Sequence, residues 1–182
     1  MFYSSGKYKL FVKIMITSVI MLLVFSGTTK GQDVDYRAQS LYVYKFTRYI
    51  FWPEEKLSGD FKIGVYGNSE IVDELNLMAS LKKGPDGMNI TVTEISEDDD
   101  LSQYHIIYVP SSKSRQIREL SEKLGDASVL LVAEREGLAT KGATISFLVS
   151  DNMVLKFEIN MSKLEKQDLE ISEELLKLGY EI

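Results

Sequence analysis

Apolar and polar residues alternate most clearly between Gly142 and Asn160. Ile145, Phe147 and Val149 alternate with Thr144, Ser146 and Leu148, the period of two that marks a strand. Val154, Lys156, Glu158 and Asn160 then alternate with Leu155, Phe157 and Ile159, giving a second strand with one apolar face. Asp151 and Asn152 sit between the runs, and both tolerate the positive φ of a tight primed turn. The pattern predicts an antiparallel hairpin with Phe157 and Ile159 in the core, Glu158 outside and Asn160 capping the next helix. Lys156, Glu158 and Asn160 are candidates for a recognition surface on its polar face.

Asp35 to Trp52 reads as a helix ending before Pro53, with Tyr42, Phe46, Tyr49 and Ile50 at three-to-four spacing on one face. Val43, Tyr44 and Phe51 fall outside that face, and Arg37, Lys45 and Arg48 form a basic flank. Packing between core and loops explains such a helix. Surplus aromatic surface also suits a partner, which makes Tyr42, Phe46, Tyr49 and Trp52 candidate contacts.

Further along, Phe61–Tyr66 reads as a buried strand. Asn68 or Ser69 caps a helix with the stripe Ile71, Val72, Leu75, Met78, Ala79 and Leu81, which Gly84-Pro85-Asp86-Gly87 ends. Strands follow at 89–95, 105–109 and 127–133, with a helix carrying Ile117, Leu120 and Leu124 before the last of them. A short helical piece at 136–140 precedes the hairpin. After Asn160 comes a helix to about Gln167, then an extended stretch at 169–171, then a short helix capped by Ser172 and closed by Gly179. The expected fold is α/β: three layers, a mainly parallel twisted sheet flanked by helices, and an antiparallel hairpin towards the C-terminal end.

Composition changes this picture at the N-terminus. Of the 182 residues, the first 31 look like a secretory signal. Lys7, Lys9 and Lys13 precede the short apolar run Ile14–Phe25, and small residues lead to cleavage near Gly31, with an uncleaved N-terminal anchor as the alternative. The run is shorter than the roughly 20 apolar residues of a membrane-spanning helix. Residues 32–182 are expected to form one domain, exported and soluble after cleavage. The leader holds four of the 21 basic residues and none of the 27 acidic ones, so residues 32–182 carry −10. That balance argues against a nucleic-acid partner. The chain has no cysteine, which excludes a lipid anchor on one and any disulfide.

Catalytic chemistry finds little to work with. The single histidine, His105, opens a buried strand and reads as structural, so no metal is expected there. Asp98, Asp99 and Asp100 lack the alternate spacing, central glycine and distal glutamate of a calcium loop. No nucleophile elbow occurs, and Gly64–Gly67 lacks dinucleotide-loop spacing. The chain therefore reads as non-enzymatic and without a cofactor. One constellation could bind a small ligand. Parallel strands ending near Tyr66, Val109 and Ala133 would bring Asn68, Ser69, Ser111, Ser112, Lys113, Arg115 and Arg135 to one rim, facing two helix N-termini. Ordinary capping explains the same residues.

Lys45–Pro53 (KFTRYIFWP), Ile63–Glu70 (IGVYGNSE), Ile106–Ser112 (IIYVPSS) and Val129–Glu134 (VLLVAE) stand in order before Lys141–Phe147 (KGATISF), Lys156–Asn160 (KFEIN) and Leu169–Leu178 (LEISEELLKL). This ordered set resembles the YfiR-like family. The resemblance implies a periplasmic regulator that represses an inner-membrane diguanylate cyclase through the cyclase's periplasmic sensing region. It also implies sequestration by an outer-membrane lipoprotein and a link to cyclic di-GMP and biofilm formation. A homodimer is a further candidate assembly. Better-known members carry cysteine pairs, which this chain lacks. The alternative expectation is a periplasmic ligand-binding module feeding a sensor kinase or transporter.

Overall fold

A computed structural model describes residues 34–182. The predicted signal peptide lies outside the described residues. Helix α1 spans Tyr36–Tyr49, and the two-residue strand β1 follows at Ile50–Phe51. Then come β2 (Phe61–Tyr66), α2 (Ile71–Leu81), β3 (Ile90–Ile95), β4 (Ile106–Val109), α3 (Ile117–Leu124) and β5 (Leu130–Ala133). The C-terminal part holds β6 (Ile145–Val149), β7 (Leu155–Ile159), α4 (Met161–Lys166), β8 (Glu170–Ile171), α5 (Glu173–Leu176) and β9 (Tyr180–Glu181). No described helix is long and apolar enough to cross a membrane.

Seven strands form one sheet in the order β3-β2-β4-β5-β6-β7-β9. All neighbours are parallel except β6 and β7. The α/β architecture is the expected one, and its physical basis is visible in β4 and β5. Ile106, Tyr108, Leu130 and Val132 face one apolar cluster, while Ile107, Val109, Leu131 and Ala133 face another. Both faces are covered, so the central strands are unbroken apolar runs rather than alternating ones. α1, α2, α4 and α5 pack on the first face; α3 packs on the second through Ile117, Leu120 and Leu124.

Several elements differ from expectation, each for a traceable reason. α1 stops at Tyr49 because Ile50 and Phe51 pair antiparallel with Ile171 and Glu170 of β8. Pro53 also disfavours helical geometry at Trp52. The inner face of α1 is turned from the expected stripe: Val43, Phe46 and Ile50 are buried, whereas Tyr49 is 38% exposed. Ser40 and Thr47 are buried beside them, their hydroxyls donating to Arg37 O and Tyr44 O of the same helix. The α2 cap position is Glu70, with no side-chain cap bond, instead of Asn68 or Ser69. Leu81, predicted for the inner stripe, is exposed. The piece at 136–140 is a 3-10 turn over Ala139–Lys141.

The hairpin forms with the predicted pairing faces, Phe147 opposite Phe157 and Ser146 opposite Glu158. Its turn is different. Ser150 N donates to Val154 O and Met153 N donates to Ser150 O, so the loop has three residues and the positive φ falls on Met153. A type I turn followed by one left-handed residue is the common three-residue solution. The hairpin is also not the edge of the sheet. β9 returns parallel to β7, pairing Tyr180 with Glu158 and Glu181 with Ile159. Gly179 makes this return possible: a Cβ there would stand 2.5 Å from the Phe157 ring and 2.9 Å from its carbonyl oxygen.

Candidate functional site

The aromatic helix divides into core and surface. Phe46 is fully buried, 5.9 Å from Phe147 and 5.3 Å from Phe157 between ring centroids. Trp52 is buried edge-on against Phe61 at 5.0 Å. Neither can meet a partner in the folded chain, so both leave the set of candidate contacts. Tyr42 is half-buried against the same phenylalanines, and its hydroxyl donates to Leu155 O at 3.1 Å. Burial pushes its phenol above the ordinary value. Of the four residues, Tyr49 alone has an exposed ring.

The polar face of β7 is largely taken up inside the molecule. Glu158 accepts from Ser146 Oγ at 2.6 Å and from Gly137 N at 3.1 Å. Asn160 caps α4 by accepting from Lys163 N at 2.9 Å, and its amide donates to Ala139 O at 3.0 Å. These two side chains fasten the 137–141 loop to the sheet. An alternating polar residue faces outward from its own sheet, but a loop from elsewhere in the chain can bond to it, as the 137–141 loop does here. Lys156 is half-buried on the same strand.

At the carboxyl ends of the parallel strands, the expected anion-accepting position already holds a carboxylate. Glu134, 8% exposed, accepts from Ser111 Oγ at 2.7 Å and from Ser111 N at 3.2 Å. Tyr108 Oη lies 2.5 Å from Gln39 Oε1 of α1 and 3.2 Å from the second Glu134 oxygen, so its single proton is shared between two acceptors. Among the described residues no cation pairs with Glu134. Burial first, and then the Glu134 charge, push the Tyr108 phenol far above its ordinary value. Tyr36 at the start of α1 is raised by the same two causes.

The remaining rim residues do not converge. Lys113 lies across Gly67, whose φ of 83° suits glycine and few other residues, and its ammonium sits 5.9 Å from the Tyr66 ring centre. Asn68, Ser112, Arg115 and Arg135 are exposed, and Ser69 is half-buried, with Oγ 3.5 Å from Ile71 N. Sequence reasoning placed Ser111 on this rim and missed the Gln39–Tyr108–Glu134 chain beneath it. The available signals were a glutamine on the inner face of an aromatic helix and a tyrosine inside an apolar strand.

The opposite end of the sheet buries His105. Its Nδ1 accepts from Lys62 N at 3.0 Å, and Nε2 lies 2.7 Å from Lys56 O. Those partners fix the neutral tautomer with the proton on Nε2. Burial holds the imidazole below its ordinary pKa, and the Lys56 and Lys62 charges push the same way against the opposing backbone hydrogen bonds of those two residues. The Lys56 ammonium donates to Ser102 O at 2.7 Å and Tyr104 O at 3.1 Å, and burial lowers its pKa as well. In the acidic loop, Asp99 accepts from Ser96 and Asp100 from Ser102, so those carboxylates fold their own turn.

The sequence profile of the YfiR/HmsC-like family matches residues 36–180. The chain belongs to this family. The match begins with α1 and ends inside β9, so it includes both terminal elements that complete the sheet and its cover. No curated protein matches the chain.

Proposed function

We propose that this YfiR/HmsC-like protein is a non-enzymatic periplasmic regulator. It binds the periplasmic part of an inner-membrane signalling protein of the diguanylate cyclase type and represses it, which lowers cyclic di-GMP and biofilm formation. The observation that carries this reading is the family match over residues 36–180. Two features of the chain support it. The leader-like start suits export. The polar groups that gather at the rim are tied to one another, with Glu134 occupying the amide that a bound anion would need. That arrangement supports a surface-acting protein better than the alternative ligand-binding module.

Deleting the gene and measuring cyclic di-GMP tests the proposal. Repression predicts a rise, reversed by supplying the protein with its leader, together with recovery of an inner-membrane signalling protein when the exported protein is captured from the envelope. Unchanged cyclic di-GMP and no such membrane protein in the captured material would remove the proposal.

A further inference from the structure

The outer face of α1 is chemically unlike the rest of the molecule. Residues 36–53 contain no aspartate or glutamate, whereas residues 32–182 as a whole carry −10. Arg37, Leu41, Lys45 and Arg48 follow the i, i+4, i+8, i+11 spacing that places them along one side of the helix. Arg37 and Arg48 are exposed, Lys45 is half-buried, and Leu41 is 52% exposed between the cations. Lys82, from the end of α2, adds its ammonium 5.5 Å from the Tyr44 ring centre on the same helix. Among the described residues, none of these cations meets a carboxylate within ion-pair distance; Arg48 donates to Gly84 O, and Lys45 lies over the Tyr42 ring.

We propose that this stripe docks an acidic segment of a partner protein, with Leu41 as the apolar centre of the contact. The proposal rests on the regulatory reading above and names the surface that reading needs. Charge complementarity selects the occupant. A second copy of this chain would bring a strongly acidic molecule but would have to place one of its own acidic stretches on a stripe one helix wide. An anionic bilayer would attract the stripe and repel the acidic remainder. A narrow acidic segment meets the cations without bringing its charge against the rest of the surface. Arginine at the rim of an apolar anchor is a favoured interface arrangement, and paired charges at such a rim govern association rate and salt dependence.

The test places a photo-crosslinking residue at position 41 of the full chain, exported in living cells. The expected product joins this protein to one envelope protein through a peptide in which Asp and Glu outnumber Lys and Arg. The adduct falls at least tenfold in the R37E/K45E/R48E variant, and a thermal melt checks that this variant folds, since it also loses the Arg48 bond to Gly84 O and the Lys45 contact with the Tyr42 ring. Reversing the charges of the captured acidic stretch restores the adduct. An adduct to phospholipid, an adduct to a second copy, an equal adduct in the charge-reversed variant, or no adduct overturns the proposal. Cyclic di-GMP separates this failure from failure of the regulatory reading. If deletion raises cyclic di-GMP and the charge-reversed variant still restores it, the stripe is wrong and the regulator stands. If deletion changes nothing, the regulator itself is wrong.

Discussion

The two ends of the sheet bury ionisable side chains in opposite ways. At the carboxyl end, Glu134 sits under α1 with hydrogen-bond donors from β4 and from the loop after it. At the other end, His105 is buried as a ring whose two nitrogens both meet backbone groups. The first arrangement depends on every donor, because a buried polar group without its partners costs the full loss of hydration. The second depends on the ring staying neutral: a proton on Nδ1 would face the Lys62 N–H. One end is therefore exposed to mutation, and the other to acid.

The largest effect is expected at the donor-dependent end. Glu134→Ala removes the acceptor of Ser111 N and Oγ and one of the two acceptors of the Tyr108 hydroxyl, and urea unfolding should show a loss of about 2 kcal/mol. Glu134→Gln keeps an acceptor oxygen and should lose less. A Glu134→Ala variant as stable as wild type would show that the rim network does not hold α1 to the sheet. Tyr108→Phe removes the single hydroxyl proton that Gln39 and Glu134 share, for an expected loss of about 1–2 kcal/mol.

At the acid-sensitive end, the sign of the pH effect follows from the depressed His105 pKa. Unfolded, the ring takes up a proton near its ordinary value of about 6.5, while the folded ring resists it. The unfolded state then binds more protons, so the His105 contribution is complete above about pH 6.5 and is lost as the pH falls through that value towards the folded pKa. Denaturant midpoints measured between about pH 7.5 and pH 5 should fall for wild type. His105→Gln, which retains one donor and one acceptor, should remove that part of the slope; an unchanged slope would assign it to other groups. The smallest effect is expected for Lys56→Met. It deletes two hydrogen bonds to carbonyls but also a desolvated ammonium, and the two changes should cancel to within about 1 kcal/mol in the same assay.

Much of the framework was legible from residue order alone. The hairpin from Ile145 to Ile159, the buried strands at β2, β4 and β5, the Asn160 and Ser172 caps, and the α/β arrangement follow from local periodicity and local turn chemistry. These signals are legible because each is settled by residues within a few positions of one another. The same reasoning misjudged the rotation of α1, placing Tyr49 inside and leaving Val43 out. That rotation is fixed by the pairing of β1 with β8, whose residues lie more than a hundred positions apart.

What the chain order determined by itself is which segments are strands and helices, and which of their faces must be covered. What only the tertiary structure decided is which polar side chains remain available. Glu158 and Asn160 are held by the 137–141 loop, Glu134 is held by Ser111 and Tyr108, and Arg37, Lys45 and Arg48 have no carboxylate within ion-pair distance among the described residues. The physical reason is that a hydrogen bond needs its partner within about 3 Å, and for these groups the partner comes from a distant part of the chain.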